Sequence, residues 1–168
     1  MRRNFENAIG AYTGRLLEEE VFGRPKIPEE IKFMSFKKAT DAVKEMQMGD
    51  PSDPDKRFAN DLHALVADKL GLQDYSRLKF YSAVGTPLDI FHGVDALLEL
   101  QLKKGRIDAC TLDVSRDDQK ETCKADVLIK MPKDGLDPKE DKKEYRQKLE
   151  QTADEVVRYF KQRENYYN

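Results

Sequence analysis

In the stretch LKFYSAVGTPLDIFHGVDALLELQLKKGRIDACTLDVSRDDQKETCKADVLIKM, residues Leu78 to Met131, four apolar runs alternate with turn residues. Runs of this length, bounded by Gly, Pro and Asp, predict β-strands rather than helices. The short connection Lys103–Arg106 predicts that the second and third strands form an antiparallel hairpin. The four predicted strands are Leu78–Val84, Val94–Leu102, Ile107–Val114 and Ala125–Met131.

Two aspartates, Asp95 and Asp113, interrupt the second and third runs. A carboxylate inside a half-buried strand costs free energy unless it is paired, hydrogen-bonded or bound to a metal. Because side chains alternate along a strand, Asp95 shares a face with Leu97, and Asp113 shares a face with Thr111. The hairpin can therefore place both aspartates on one side of the sheet, in a register that the sequence leaves open. Alternatively, Asp95 completes a turn at a strand start and Asp113 caps the following loop.

Apolar residues at helical spacing predict flanking helices over residues 4–21, 35–49, 54–70 and 138–164. In the third of these, Asp53 suits a cap and Pro54 a first-turn position. Asp61 borders the apolar stripe of that helix, and His63 is expected at its surface. These elements predict one α/β domain over residues 1–168: a mixed three- or four-stranded sheet flanked by helices. Residues 1–50 are its N-terminal helical portion and residues 54–164 its core and C-terminal helix.

Composition narrows the classes of partner. Charged residues make up 37% of the chain and the net charge is −2, so only local basic patches can attract nucleic acid. No apolar run approaches the roughly 20 residues needed to cross a bilayer. The start of the chain lacks the apolar segment of a signal peptide, so we expect a cytoplasmic protein. Cys110 and Cys123 form no CxxC motif and are expected to be free thiols.

Three segments together resemble the PD-(D/E)XK nuclease superfamily: RFANDLHALVADKLG, HGVDALLEL and IDACTLDVS. They supply an acidic residue on a helix, an Asp on the second strand and an Asp-Xaa-Xaa on the third. The resemblance covers about Lys56–Met131 and implies a restriction-endonuclease-like core with extra N-terminal helices. It also implies that Mg²⁺ or Mn²⁺ is held for phosphodiester hydrolysis. The metal ligands implied are Asp61, Asp95, Asp113 and the backbone carbonyl of Val114.

The chain departs from the family pattern at its lysine, two positions after the third-strand acid, where Ser115 stands. Lys79, Lys120 and Lys124 are candidate replacements. Lys120 is preferred as the catalytic lysine because it follows the strand within a loop. The helix acid, Asp61, is also shorter than the usual Glu.

A competing alignment pairs Asp89 with Glu99-Leu100-Gln101. It would place both acids on one continuous strand, too far apart to share an ion.

The leading hypothesis is a Mg²⁺-dependent endonuclease or exonuclease acting on DNA, with Asp95, Asp113 and Lys120 as catalytic residues. The resemblance also allows a homodimer, because many enzymes of that superfamily pair to cut both strands of DNA. Contacts to nucleic acid are expected from Lys103, Lys104, Arg106 and His92. The alternative is a catalytically inactive nuclease-like module that binds DNA or a protein partner, which Ser115 and the acidic pI of about 5.8 favour. A third alternative, a structural or regulatory interaction protein, is indicated by the charged C-terminal helix.

Overall fold

The computed structural model of the chain describes residues 14–166, and the predicted first helix therefore lies partly outside the described residues. Within that range the chain forms a four-stranded mixed sheet flanked by helices, which confirms the predicted fold class. The helices are α1 (residues 14–22), α2 (Phe36–Glu45), α3 (Arg57–Lys69), α4 (Pro87–His92) and α5 (Lys142–Tyr166). The strands are β1 (Leu78–Ser82), β2 (Ala96–Gln101), β3 (Ile107–Ser115) and β4 (Val127–Lys130).

The sheet has the order β1-β2-β3-β4. Its first three strands form an antiparallel meander, and β4 then pairs parallel to β3. The predicted hairpin between β2 and β3 is present, with Ala96 opposite Leu112. Its turn at Lys103–Gly105 is tight enough to hold Lys104 at a φ of 63°. A parallel β4 requires the long connection of residues 116–126, which carries Lys120.

The two faces of the sheet bury different sets of helices. Ala96, Leu98 and Leu112 belong to one apolar cluster with buried residues of α3 and α5. Leu97, on the other face of β2, belongs to a second cluster with Val43 of α2 and Leu88 of α4. This alternation places the side chains of odd-numbered β2 residues toward α2 and α4.

Helix α4 lies where the sequence predicts only turn residues between the first two strands, over residues 85–93. The competing alignment placed Asp89 on a continuous strand, but Pro87–His92 is helical. Its start has Pro87 in the first turn, where a missing amide costs nothing. It ends at Gly93, whose φ of 66° suits a residue without a Cβ. A helix of six residues is too short for apolar periodicity to reveal.

Two predictions for α3 were wrong. The helix begins at Arg57, and Asp53 accepts a hydrogen bond from the Asn60 side chain (2.7 Å) instead of capping it. His63 is buried, with 3% of its surface exposed, and its Nε2 lies 2.7 Å from the Leu78 carbonyl oxygen. Helix α3 packs against both β1 and α5, so its buried arc is wider than its apolar stripe.

Candidate metal centre

Asp95 and Asp113 lie opposite each other at one end of the β2-β3 hairpin. Asp95 directly precedes β2, and its amide donates a hydrogen bond to the Leu112 carbonyl (2.8 Å), which continues the pairing of Ala96 with Leu112. Residues opposite each other in an antiparallel pair point to the same face. The two aspartates thus share a face, as the alternation predicts. Both are buried, with exposed fractions of 3% and 7%.

Two further carboxylates, Glu18 of α1 and Asp89 of α4, join Asp95. One carboxylate oxygen from each of the three residues lies within 4.8 Å of the other two. Backbone amides hold two of them in place. Gly85 N donates to Asp89 Oδ2 (2.7 Å), and Val114 N donates to Asp95 Oδ2 (2.8 Å). We call Glu18, Asp89 and Asp95 the acidic cluster.

Burial is the main cause of the unusual electrostatics of this cluster. It raises the pKa of Asp95 to about 9, with the charges of Glu18, Asp113 and Asp89 adding to the effect and the Val114 amide opposing it. Burial likewise raises the pKa of Glu18 to about 7, reinforced by Asp89 and Asp113. The pKa of Asp89 is also raised, first by burial. Without a cation, the cluster therefore favours protonated carboxyl groups over carboxylates.

Arg15, one turn before Glu18 on α1, brings positive charge to the edge of the cluster. Its charge lowers the pKa of both Glu18 and Asp89, although burial outweighs it. The guanidinium occupies the space beside Gly85: a Cβ at that glycine would lie 1.8 Å from Arg15 Nη2. A side chain at position 85 would therefore displace the arginine.

Lys120 forms an ion pair with Asp113 Oδ2. Burial lowers the pKa of Lys120, but the hydrogen bond and charge of Asp113 outweigh it, so the ammonium group stays charged. The other two candidates lie elsewhere: Lys79 is exposed on β1 opposite Glu99, and Lys124 packs beside Gly93. Lys120 is thus the candidate lysine whose Nζ contacts one of the paired aspartates. Ser115 accepts a hydrogen bond from the Asp117 amide (3.1 Å).

Asp61 does not reach the acidic cluster. It lies on α3, which packs on the opposite face of the sheet from Asp95. Its Oδ2 accepts hydrogen bonds from Arg57 Nε (2.9 Å) and Tyr145 OH (2.8 Å). The helix acid beside Asp95 is Glu18 instead. Glu18 follows Leu17 on an amphipathic helix, but nothing in the sequence distinguishes it from its neighbours Glu19 and Glu20.

The remaining predicted site residues lie at three places. Val114 contacts Asp95 through its amide. His92, at the end of α4, donates from Nε2 to the Met34 carbonyl (2.8 Å) and packs against the ring of Phe36. The basic turn of Lys103, Lys104 and Arg106 lies at the far end of the hairpin, about 25 Å from Asp95 at the usual strand rise of about 3.3 Å per residue.

Of the two acids in the competing alignment, Asp89 lies at the candidate site and Glu99 does not. Asp89 belongs to the acidic cluster, but Glu99 lies further along β2 and forms an ion pair with Lys44 of α2. The two acids that this alignment paired therefore do not act together.

No protein-family model, curated protein or solved structure matches this chain. Across residues 14–166, none of the helices is both long and apolar enough to cross a membrane.

Proposed function

We propose that this chain is a divalent-cation-dependent nuclease that hydrolyses phosphodiester bonds of DNA. The observation that carries the proposal is the meeting of Glu18, Asp89 and Asp95 within 4.8 Å, beside the ion pair of Asp113 with Lys120. These residues come from two helices, the hairpin and a loop, so the fold gathers them from distant parts of the sequence. A helix acid, a second-strand Asp and a third-strand Asp are also the elements of the PD-(D/E)XK resemblance. Glu18 supplies the longer helix acid usual in that superfamily.

The donor set suits Mg²⁺ or Mn²⁺. All three groups of the acidic cluster offer carboxylate oxygens, the ligands that hard divalent cations prefer. The raised pKa values of Asp95 and Glu18 show that burial disfavours their charged forms, and a bound cation would offset this by stabilising both carboxylates. When bound, such an ion lowers the pKa of an attacking water and neutralises charge on the phosphate.

The protein's own residues would divide the remaining work. The amides of Gly85 and Val114 orient Asp89 and Asp95, so these carboxylates need little rearrangement to bind an ion. Asp113 holds Lys120 at the same face, where its ammonium group would stabilise the attacking water and the charge developing on the phosphate. Lys120 thereby replaces the lysine that the motif would place at Ser115.

Further properties belong to the same proposal. A homodimer and a cytoplasmic location are part of it, and the free thiols Cys110 and Cys123 fit the reducing cytoplasm. The basic turn of Lys103 and Lys104 would contact phosphates about 25 Å from the site of cleavage.

The alternative is an inactive module that retains the fold and binds nucleic acid or a protein. The observation that favours it is Ser115, whose hydroxyl contacts the Asp117 amide and supplies no positive charge to the site. If the ion pair with Asp113 keeps Lys120 away from substrate, catalysis would fail while binding would remain.

Cleavage of linear, nicked, branched and single-stranded DNA in Mg²⁺ or Mn²⁺ tests the proposal. We expect the parent protein to cleave at least one substrate, and Asp95→Ala and Glu18→Gln to lose cleavage together with metal binding. Asp61→Asn is the matched control, because it removes an acid outside the cluster and should keep activity. Cleavage that persists in Asp95→Ala indicates a contaminant. Absence of any cleavage by the folded parent would favour the inactive module.

A further inference from the structure

An aromatic cluster is exposed next to the acidic cluster. Phe33 and Phe36 are 70% and 50% exposed, although both are large apolar side chains. Phe33 meets Phe91 edge-on with ring centroids 5.5 Å apart, and Phe36 meets His92 edge-on at 5.6 Å. We call Phe33, Phe36, Phe91 and His92 the aromatic platform. Exposed contiguous apolar surface on a soluble domain commonly marks a binding site.

A hydrogen bond and a ring contact of His92 hold the platform in place. His92 Nε2 donates a hydrogen bond to the Met34 carbonyl, which ties the segment before α2 to the end of α4. The Phe33 ring also lies 6.0 Å from the His92 ring, centroid to centroid. The rings are therefore anchored by two elements, and binding a flat ligand would need little ordering.

Lysines lie beside the platform residues in the sequence. The sequence around it reads KFMSFKK, residues 32–38, so lysines flank both exposed phenylalanines. Lys32 forms an ion pair with Glu30 (3.2 Å), whereas Lys37 and Lys38 are exposed and have no carboxylate partner within residues 14–166. Lys124 packs beside Gly93, at the C-terminal end of α4. Aromatic rings interleaved with unpaired cations are typical of surfaces that bind single-stranded nucleic acid.

The platform also lies close to the proposed chemistry. Asp89 of the acidic cluster and His92 of the platform are three residues apart on α4, about 4.5 Å along the helix axis. Lys120 and Lys124 share the loop after β3: Lys120 pairs with Asp113, opposite Asp95 in the hairpin, and Lys124 packs beside Gly93 at the end of α4.

We propose that the aromatic platform stacks unpaired bases and so directs single-stranded nucleic acid to the acidic cluster. This inference rests on the proposed nuclease function, because it takes the cluster as the point of cleavage. Bases in a duplex are already stacked on each other and cannot cover protruding rings. Unpaired bases can stack on such rings, and the flanking lysines would contact the phosphates between those bases. Single strands or unpaired ends are therefore the substrate class.

Binding measured in EDTA tests the platform without requiring cleavage. A fluorescent single-stranded oligonucleotide of about 15 nucleotides would be titrated with the full chain at low salt, as DNA and as RNA, against the matching duplex. We expect single strands to bind more tightly than the duplex. Phe33→Ala and Phe36→Ala should each weaken single-strand binding between about 5-fold and about 100-fold. Phe33→Trp should bind about as tightly as the parent, because indole also stacks.

Ile107→Ala is the control, since Ile107 is 55% exposed at the far end of β3. Equal binding of single strands by the parent and both alanine variants would overturn the platform, as would no binding by the parent. Self-association that disappears in Phe33→Ala, without oligonucleotide binding, would assign the patch to a second copy and also overturn it. Binding that depends on the platform, with no cleavage in Mn²⁺, would support the platform and reject the nuclease.

Discussion

Replacing Asp95 with asparagine should stabilise the metal-free protein. The Asp95 carboxyl is 3% exposed and faces Glu18 of α1, Asp89 of α4 and Asp113 of β3. Its pKa is raised from 3.8 to about 9 by burial and by these charges. Asparagine has nearly the same shape, is neutral, and can still accept the hydrogen bond from the Val114 amide. The variant therefore removes the electrostatic cost and keeps the local packing.

The magnitude follows from proton linkage. Between pH 3.8 and about 9 the unfolded chain loses the Asp95 proton while the folded chain retains it. Each pH unit in this window costs about 1.4 kcal/mol of stability, and below the unfolded pKa the cost vanishes. At about pH 7 the cost reaches at most about 4 kcal/mol. Because Glu18 and Asp89 titrate with Asp95, we expect asparagine to gain about 1–4 kcal/mol.

Urea unfolding in EDTA at several pH values measures this gain. The parent should lose stability as pH rises from about 5 to about 8, and Asp95→Asn should lose less. With saturating Mn²⁺ the order should reverse, because only the parent offers the full ligand set. Asp61→Asn is the matched control and should gain nothing, since its carboxylate accepts two hydrogen bonds outside the cluster. A metal-free Asp95→Asn protein less stable than the parent at about pH 7 would refute the reasoning.

Three other changes have defined outcomes. Lys120→Ala should lower DNA cleavage about 10²–10³-fold while leaving Mn²⁺ affinity nearly intact, because an ammonium group stabilises charge but binds no metal. If cleavage and Mn²⁺ affinity fall together, Lys120 has a structural role instead. His63→Phe should lower the free energy of unfolding in urea by about 1–3 kcal/mol, because the buried Leu78 carbonyl loses its hydrogen bond from the histidine. An unchanged unfolding midpoint would mean that a water molecule replaces that hydrogen bond. If the hairpin turn contacts two phosphates, the double variant Lys103→Ala/Lys104→Ala should reduce the slope of log DNA affinity against log salt concentration by about 2. An unchanged slope would show that the turn does not contact DNA.

The paired aspartates could be predicted from the sequence because their placement is local. Alternation along two strands and a short connection decide which side chains share a face, and Asp95 and Asp113 follow that rule. Lys120 could be preferred on similar grounds, since a loop directly after β3 keeps it within reach of Asp113.

Glu18 and Asp89 could not be predicted because their placement depends on tertiary packing. Glu18 stands in a run of three glutamates that looks like a solvated helix face. Asp89 lies on a six-residue helix, too short for a periodic signal. The resemblance implies Asp61 as the helix acid, but the apolar stripe of α3 does not reveal which face of the sheet that helix covers.

Titration of Mn²⁺ into the metal-free protein, followed by calorimetry, tests the central claim most directly. We expect saturable binding by the parent at about pH 7, weakened at about pH 5 because protons compete for Asp95 and Glu18. Glu18→Gln should weaken or abolish binding, and Asp61→Asn should bind as the parent does. Binding lost in Asp61→Asn but kept in Glu18→Gln, or no saturable binding by the parent, would contradict a metal centre built from Glu18, Asp89 and Asp95.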